Sequence, residues 1–236
     1  MHTLSNHEFH CPPAFSFSVV DDDEKDGIEQ LVEVLKGEST IVLETDVGGA
    51  TTGSNGHGKN GLNVNGQVVD GNGKTVSVTG ADSTWDSAIN ITGGTIKNLA
   101  IDSGFRGVFI NHNSTDCGKV YLEKVVIDGP VYTISCDQGT GEGLEAINST
   151  FNGWTSYAAT IGEVTFIDCS FGEGSGYSFC RPYAPTTFKN CEFEAGFEMD
   201  PRAAVTFENC TLDGVAITSD NIATLVTSNI ANASVI

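Results

Sequence analysis

The sequence predicts an all-β fold: a right-handed single-stranded parallel β-helix with an N-terminal amphipathic capping helix and an extended N-terminal arm. Three observations predict it. A short word recurs as "TFIDCSF", "TFKNCEF" and "TFENCT". Aligned on Asp168, Asn190 and Asn209, the copies share three apolar columns. Phe166, Phe188 and Phe207 stand two residues before the anchor, Cys169, Cys191 and Cys210 one after it, and Phe171, Phe193 and Leu212 three after it. The register also extends backwards through Asn148, Lys124 and Asn98, with spacings of 26, 24, 20, 22 and 19 residues along the series, and a weaker copy follows at Asn229.

A variable repeat near 22 residues is an internal array, not a coincidence of composition. Each word is too short for a helix, rich in Phe, Ile, Val and Thr, and alternates apolar with polar, as strands do. At the anchor the inward phase shifts, so that positions −2, +1 and +3 are apolar. One bend in the left-handed conformation resets the alternation, and Asn or Asp tolerates that conformation. Side chains recurring in fixed columns imply parallel strands stacked about 4.8 Å apart. A leucine-rich-repeat horseshoe has a similar period but needs a Leu-rich consensus and helical segments, and this chain has neither.

Residues 1–20 stand outside the register and read as an arm. They hold Pro12-Pro13 and a strand-like Phe15-Ser16-Phe17-Ser18-Val19. An unpaired apolar strand calls for a partner, so Phe9, Pro12, Pro13, Phe15, Phe17 and Val19 are the expected attachment residues. Residues 21–37 read as the capping helix. Ile28, Leu31, Val32 and Leu35 share one face, acidic residues crowd its first turn, and Gly37 stands where it stops. The helix is expected to cover the open end of the coil and keep the arm from joining it. Residues 38–236 read as the β-helix domain, with a flexible Gly-rich loop at 48–60 and a weak closing coil after Asp220.

Composition sets limits. With 11 Lys+Arg against 31 Asp+Glu the formal net charge is −20, which argues against nucleic acid and anionic membrane as partners. The N-terminus has no basic region followed by an apolar one, so the chain is expected to fold in a reducing cytoplasm. There the column of Cys169, Cys191 and Cys210 acts as a small apolar ladder. No metal or cofactor is expected. Asp22, Glu24, Asp26, Gly27 and Glu33 fall short of a Ca²⁺ loop, and an acidic helix start explains them. His7, His10 and Cys11 form only a weak metal pattern.

The helix, the strand "STIVLETDV" and the F-x-N-C-x-F coils together resemble the pectin-lyase-like β-helix superfamily, most of all its small phage and prophage virion proteins. The resemblance covers about residues 24–230 and is more specific for fold than for function. Enzymes of that superfamily carry clustered acidic Ca²⁺ ligands with a basic residue, or four separate motifs. Only Gly56-His57-Gly58 matches one of those motifs here, ahead of the regular coils, so no catalytic residue is expected. Trp154, Tyr157, Tyr177, Arg181 and Tyr183 are the expected ligand or partner surface. Tyr157 and Tyr177, each nine residues past an anchor, should stack on adjacent coils, and Arg181 should pair with Asp200, Glu173 or a ligand.

The resemblance and the missing motifs imply a non-catalytic virion protein, a capsid decoration (cement) protein or head fibre. Its expected partners are the major capsid protein or another virion protein, further copies of itself (a trimer among the possibilities), and a host surface glycan. The competing expectation is a polysaccharide-binding or polysaccharide-degrading β-helix protein.

Overall fold

A computed structural model describes residues 14–54, 56–111, 118–137, 141–157 and 161–236. The first strands are β1 (Phe15–Phe17), β2 (Thr40–Leu43), β3 (Val47–Ala50), β4 (Gly53–Ser54) and β5 (Lys59–Thr79), with the helix α1 (Gly27–Leu35) between β1 and β2. Next come β6 (Ser87–Ser103), β7 (Arg106–Ile110), β8 (Val120–Cys136), β9 (Leu144–Ile147) and β10 (Thr150–Tyr157). β11 (Val164–Ile167), β12 (Ser170–Gly172), β13 (Phe179–Pro182), β14 (Thr186–Lys189) and β15 (Glu192–Phe193) follow. The last are β16 (Glu198–Met199), β17 (Val205–Glu208), β18 (Thr211–Leu212), β19 (Val215–Ala216) and β20 (Ala233–Val235).

These strands form a parallel β-helix with three sheet faces. The first face runs β1, β2, β5, β6, β8, β9, β11, β14, β17, β20, each strand pairing in parallel with the next. The second carries β3, β12, β15 and β18 with segments of β5, β6, β8 and β10. The third carries β7, β13 and β16 with the remaining segments of β5, β6, β8 and β10.

The bend between the first two faces is the predicted anchor. Asn98, Lys124, Asn148, Asp168, Asn190 and Asn209 all have φ between 50° and 53°. The residues two before and one after each bend are buried, and Phe166, Cys169, Phe171, Phe188, Cys191, Phe193, Phe207 and Cys210 lie in one continuous core. Asn72 (φ 51°) is an earlier anchor that the columns do not reveal. Three residues, Gly71, Asn72 and Gly73, separate Asp70 from Lys74 where one, Asn98, separates Lys97 from Leu99, so two residues are inserted and the apolar phase slips. Asn229 is not an anchor of the series. β20 pairs Val235 with Phe207, which places the next bend beyond the last residue, and the Asn229 amide instead reaches Asp200 Oδ1 at 2.6 Å.

The N-terminal segment departs from expectation. Phe15, Ser16 and Phe17 pair in parallel with Ile41, Val42 and Leu43, so β1 is a rung of the coil, and Phe17 lies in the core. Helix α1 does not exclude it. The helix packs against β3 and β5 and buries Ile28, Leu31 and Leu35, while β1 takes the outer edge of β2. Both can fit because they cover different faces of the same coil. Asp26 ties the helix to β3. Its Oδ1 caps the helix by accepting from Glu29 N at 2.9 Å, and its Oδ2 accepts from the edge N–H of Ala50 at 2.7 Å. Phe9, Pro12, Pro13, His7, His10 and Cys11 lie outside the described residues. Part of the expected loop at 48–60 is also strand, in β3, β4 and the start of β5.

Candidate contact face on the third sheet

Two outward columns run along the third face. One reads Asn60, Ser87, Arg106, Tyr132, Trp154, Phe179, Glu198, and the other Asn90, Phe109, Ser135, Ser156, Arg181. The parallel register sets their rings one above another. Trp154 stacks on Tyr132 with centroids 4.9 Å apart and planes 20° from parallel, and meets Tyr177 at 5.7 Å and Phe179 edge-on at 5.3 Å.

Two arginines are threaded through the rings. Arg106 is 2% exposed and sits 4.8 Å from the Trp85 centroid and 4.7 Å from that of Tyr132. It donates to Thr84 O at 2.6 Å, Ser135 Oγ at 2.7 Å and Asp137 Oδ2 at 2.5 Å, so its buried charge is paired and hydrogen-bonded. Arg181 lies on a strand, not in a loop. Its guanidinium stands 5.3 Å from Trp154 and 5.1 Å from Phe179, and Nε is 3.4 Å from Asp200 Oδ2. That is an ion pair without hydrogen-bond alignment, because Arg202 holds the same oxygen from Nε at 3.0 Å and Nη2 at 2.6 Å. Burial opposes ionisation of Asp200, but the Asn229 amide and the arginines outweigh it and hold the carboxyl below its ordinary range.

The expected surface is thus partly assembled. Trp154, Tyr177, Arg181 and Tyr183 converge on two hollows that share Trp154 and Arg181. One, of about 380 Å³, also meets Tyr132, Asp137, Ser156 and Tyr183, and the other, of about 390 Å³, meets Tyr177, Phe179 and Glu198. Tyr157 does not belong to it. It is fully buried, its hydroxyl sits 2.8 Å from Thr186 Oγ1, and its phenol pKa is pushed well up by burial. Counting nine residues from each anchor misplaces it because the chain after Gly172 makes an extra turn, closed by the Gly174–Tyr177 bridge. Tyr177 lands outside while Tyr157 pairs with Pro182. Sequence reasoning missed Tyr132, which lies on a strand too long to show its bends, and Arg106, which opens the short apolar strand β7.

Five of the six buried side-chain polar atoms without a hydrogen-bond partner among the described residues lie on this face: Asn60 Oδ1, Ser87 Oγ, Asn90 Oδ1, Trp154 Nε1 and Arg181 Nε. Asn60, Ser87 and Asn90 are enclosed, whereas Trp154 and Arg181 border the two hollows. A larger, shallow depression of about 560 Å³ over Asp70, Asn98 and Lys124 has no such converging groups. His57 of the Gly-His-Gly element packs near the Trp85 and Phe109 rings at 5.5 and 6.3 Å. Comparison of the chain with protein-family models, curated proteins and solved structures finds no match.

Proposed function

We propose that the protein is a non-catalytic structural component of a virion, a head decoration protein or head fibre whose β-helix is the projecting body. The observation that supports this most is the unbroken first sheet, which runs from β1 to β20 over ladders of stacked rings. Such a stack has no interdomain hinge, as a rigid spacer requires. The formal charge of −20 would keep neighbouring projections apart. Phe15 and Phe17 are not a free arm, since β2 already pairs with one edge of their strand, so attachment to the major capsid protein would use the other edge of β1 or a different element. The remaining candidates for the anchor are residues ahead of Ala14 and the faces of the body. Mass spectrometry and antibody-labelled electron microscopy of virions from a phage encoding this chain test the reading, and virions lacking the chain would end it.

A second reading, binding of a host surface glycan, is favoured by the paired hollows around Trp154 and Arg181, whose Nε1 and Nε donors make no hydrogen bond. Rings with polar tips suit such a ligand. Tyr177→Ala and Arg181→Ala should then each weaken glycan binding about tenfold or more while leaving the fold intact. Unchanged binding would remove this reading, and release of products from pectate or a host capsule would replace it with an enzymatic one.

A further inference from the structure

The three sheet faces end differently. At the N-terminal end the second face is covered by α1, which packs against β3, and the third by the antiparallel strand β4. At the C-terminal end the second face is closed by the antiparallel strand β19, and the third stops at a single bridge between Met199 and Val226. The first face alone ends in a parallel strand on both sides. Among the described residues β1 pairs only with β2, and β20 only with β17. An open edge is a template for another strand unless something blunts it.

Exposed apolar side chains gather at the same places. Ten large ones are exposed among the described residues, and five belong to the two ends: Phe15 and Val20 at one, Val215, Ile230 and Ile236 at the other. Phe15 is 39% exposed and Ile236 76%. Half of the exposed apolar set at two small ends marks them as contact surfaces rather than ordinary surface.

We propose that these ends are complementary, and that copies of the protein associate head to tail with β20 of one pairing in parallel with β1 of the next. The choice of a second copy as occupant rests on the match between the edges. Both strands belong to one face, run in the same direction, and share one inward column with Phe15 at its first position and Val235 at its last. A shift along the helix axis therefore sets Phe15 over Val235, and Ala14 over Ser234, with strand polarity preserved. This contact does not close on itself, so it extends into a filament. The charge of −20 on every copy opposes association, and added salt relieves that opposition. The inference does not depend on the virion reading.

The test uses the full chain. Ala14 and Ser234 are exposed residues outside the core, so Ala14→Cys and Ser234→Cys leave packing alone. Neighbouring parallel strands bring Cα atoms about 4.8 Å apart, inside the disulfide range of roughly 4.4–6.8 Å. Mild oxidation of the double variant should give a ladder of covalent multimers on a non-reducing denaturing gel, and neither single variant should. The sedimentation mass of the unmodified protein should rise with concentration and with salt, and Ile236→Asp should weaken that association about tenfold or more. A full chain that stays monomeric at every concentration and salt level overturns the proposal. So does a double variant that cross-links no further than the single ones.

Discussion

Phe166 lies flat against Phe188, with ring centroids 5.2 Å apart and planes 7° from parallel. Phe207 continues that stack at 5.4 Å, and Phe171 and Phe193 form a second one at 5.0 Å, meeting the first edge-on. Every Phe in the middle of this lattice touches rings above, below and beside it. Stacked and edge-on pairs add to the area term that already favours burial.

Phe188→Ala should therefore cost about 3–5 kcal/mol, because rings held by backbone pairing on both sides cannot collapse into the gap. Lys189→Ala next to it removes only a half-exposed ion pair with Glu208, worth at most about 1 kcal/mol. Denaturant unfolding of both variants measures the difference. Equal, small losses would contradict the inward register.

The thiol ladder should be chemically silent in the folded state. Cys136, Cys169, Cys180, Cys191 and Cys210 are buried, and the last four are unbridged. The Cys191 thiol is held protonated by its bonding with Cys169 and Cys210 on either side and by burial, and burial pushes the Cys180 thiol up as well. Peptide mapping after treatment with a thiol reagent should find these five unmodified in native protein and labelled once it is unfolded. Rapid labelling of Cys191 in native protein would refute the ladder.

Lys124 is the one anchor that is neither Asn nor Asp. Its φ of 53° strains a long side chain, at a cost of roughly 1–2 kcal/mol that Asn largely avoids. Lys124→Asn should raise stability by about 1 kcal/mol, because the ion pair it gives up with Glu123 is exposed and 3.7 Å long. Asn148→Val should lower stability by a similar amount or more, since a β-branched residue fits the bend poorly. Melting temperatures of the two variants should move in opposite directions.

The anchors and ladders were legible because a parallel coil puts equivalent residues in equivalent surroundings, so like side chains recur at like positions. Legibility failed where that equivalence fails. β1 precedes the first anchor and has no repeat partner in the sequence, so its alternation read as a free arm when it is a rung over Ile41 and Leu43. Asn72 was hidden by two inserted residues. The face on the third sheet follows loops of unequal length, so distance from an anchor says little there. Tyr177 stacks beside Trp154 as an outward ring, while Tyr157 turned out to be core. Arg106 gave no signal, because a cation inside an apolar strand is recognisable only once Trp85, Tyr132 and Asp137 are seen to meet it.

Asp200 should hold the last coil closed in a pH-dependent way. Its carboxylate joins β13 through Arg181, its own turn through Arg202, and the C-terminal tail through Asn229. The residue is 6% exposed, so losing these charge-assisted bonds should cost roughly 1.5–3 kcal/mol. The sign of the pH effect follows from the depressed pKa. Because the folded-state value lies below the usual 3.8, ionised Asp200 stabilises the fold fully above about that pH, and the contribution fades as pH falls through the folded-state value. Asp200→Asn removes the charge at every pH with little change in shape. The variant should be less stable than the unmodified protein at neutral pH, and the gap should narrow in acid. Hydrogen exchange should locate the effect: amides of residues 222–236 should exchange faster in Asp200→Asn, and those of β11 and β14 should not change. A gap that persists unchanged below the acidic transition would mean that Asp200 acts through packing rather than through its charge.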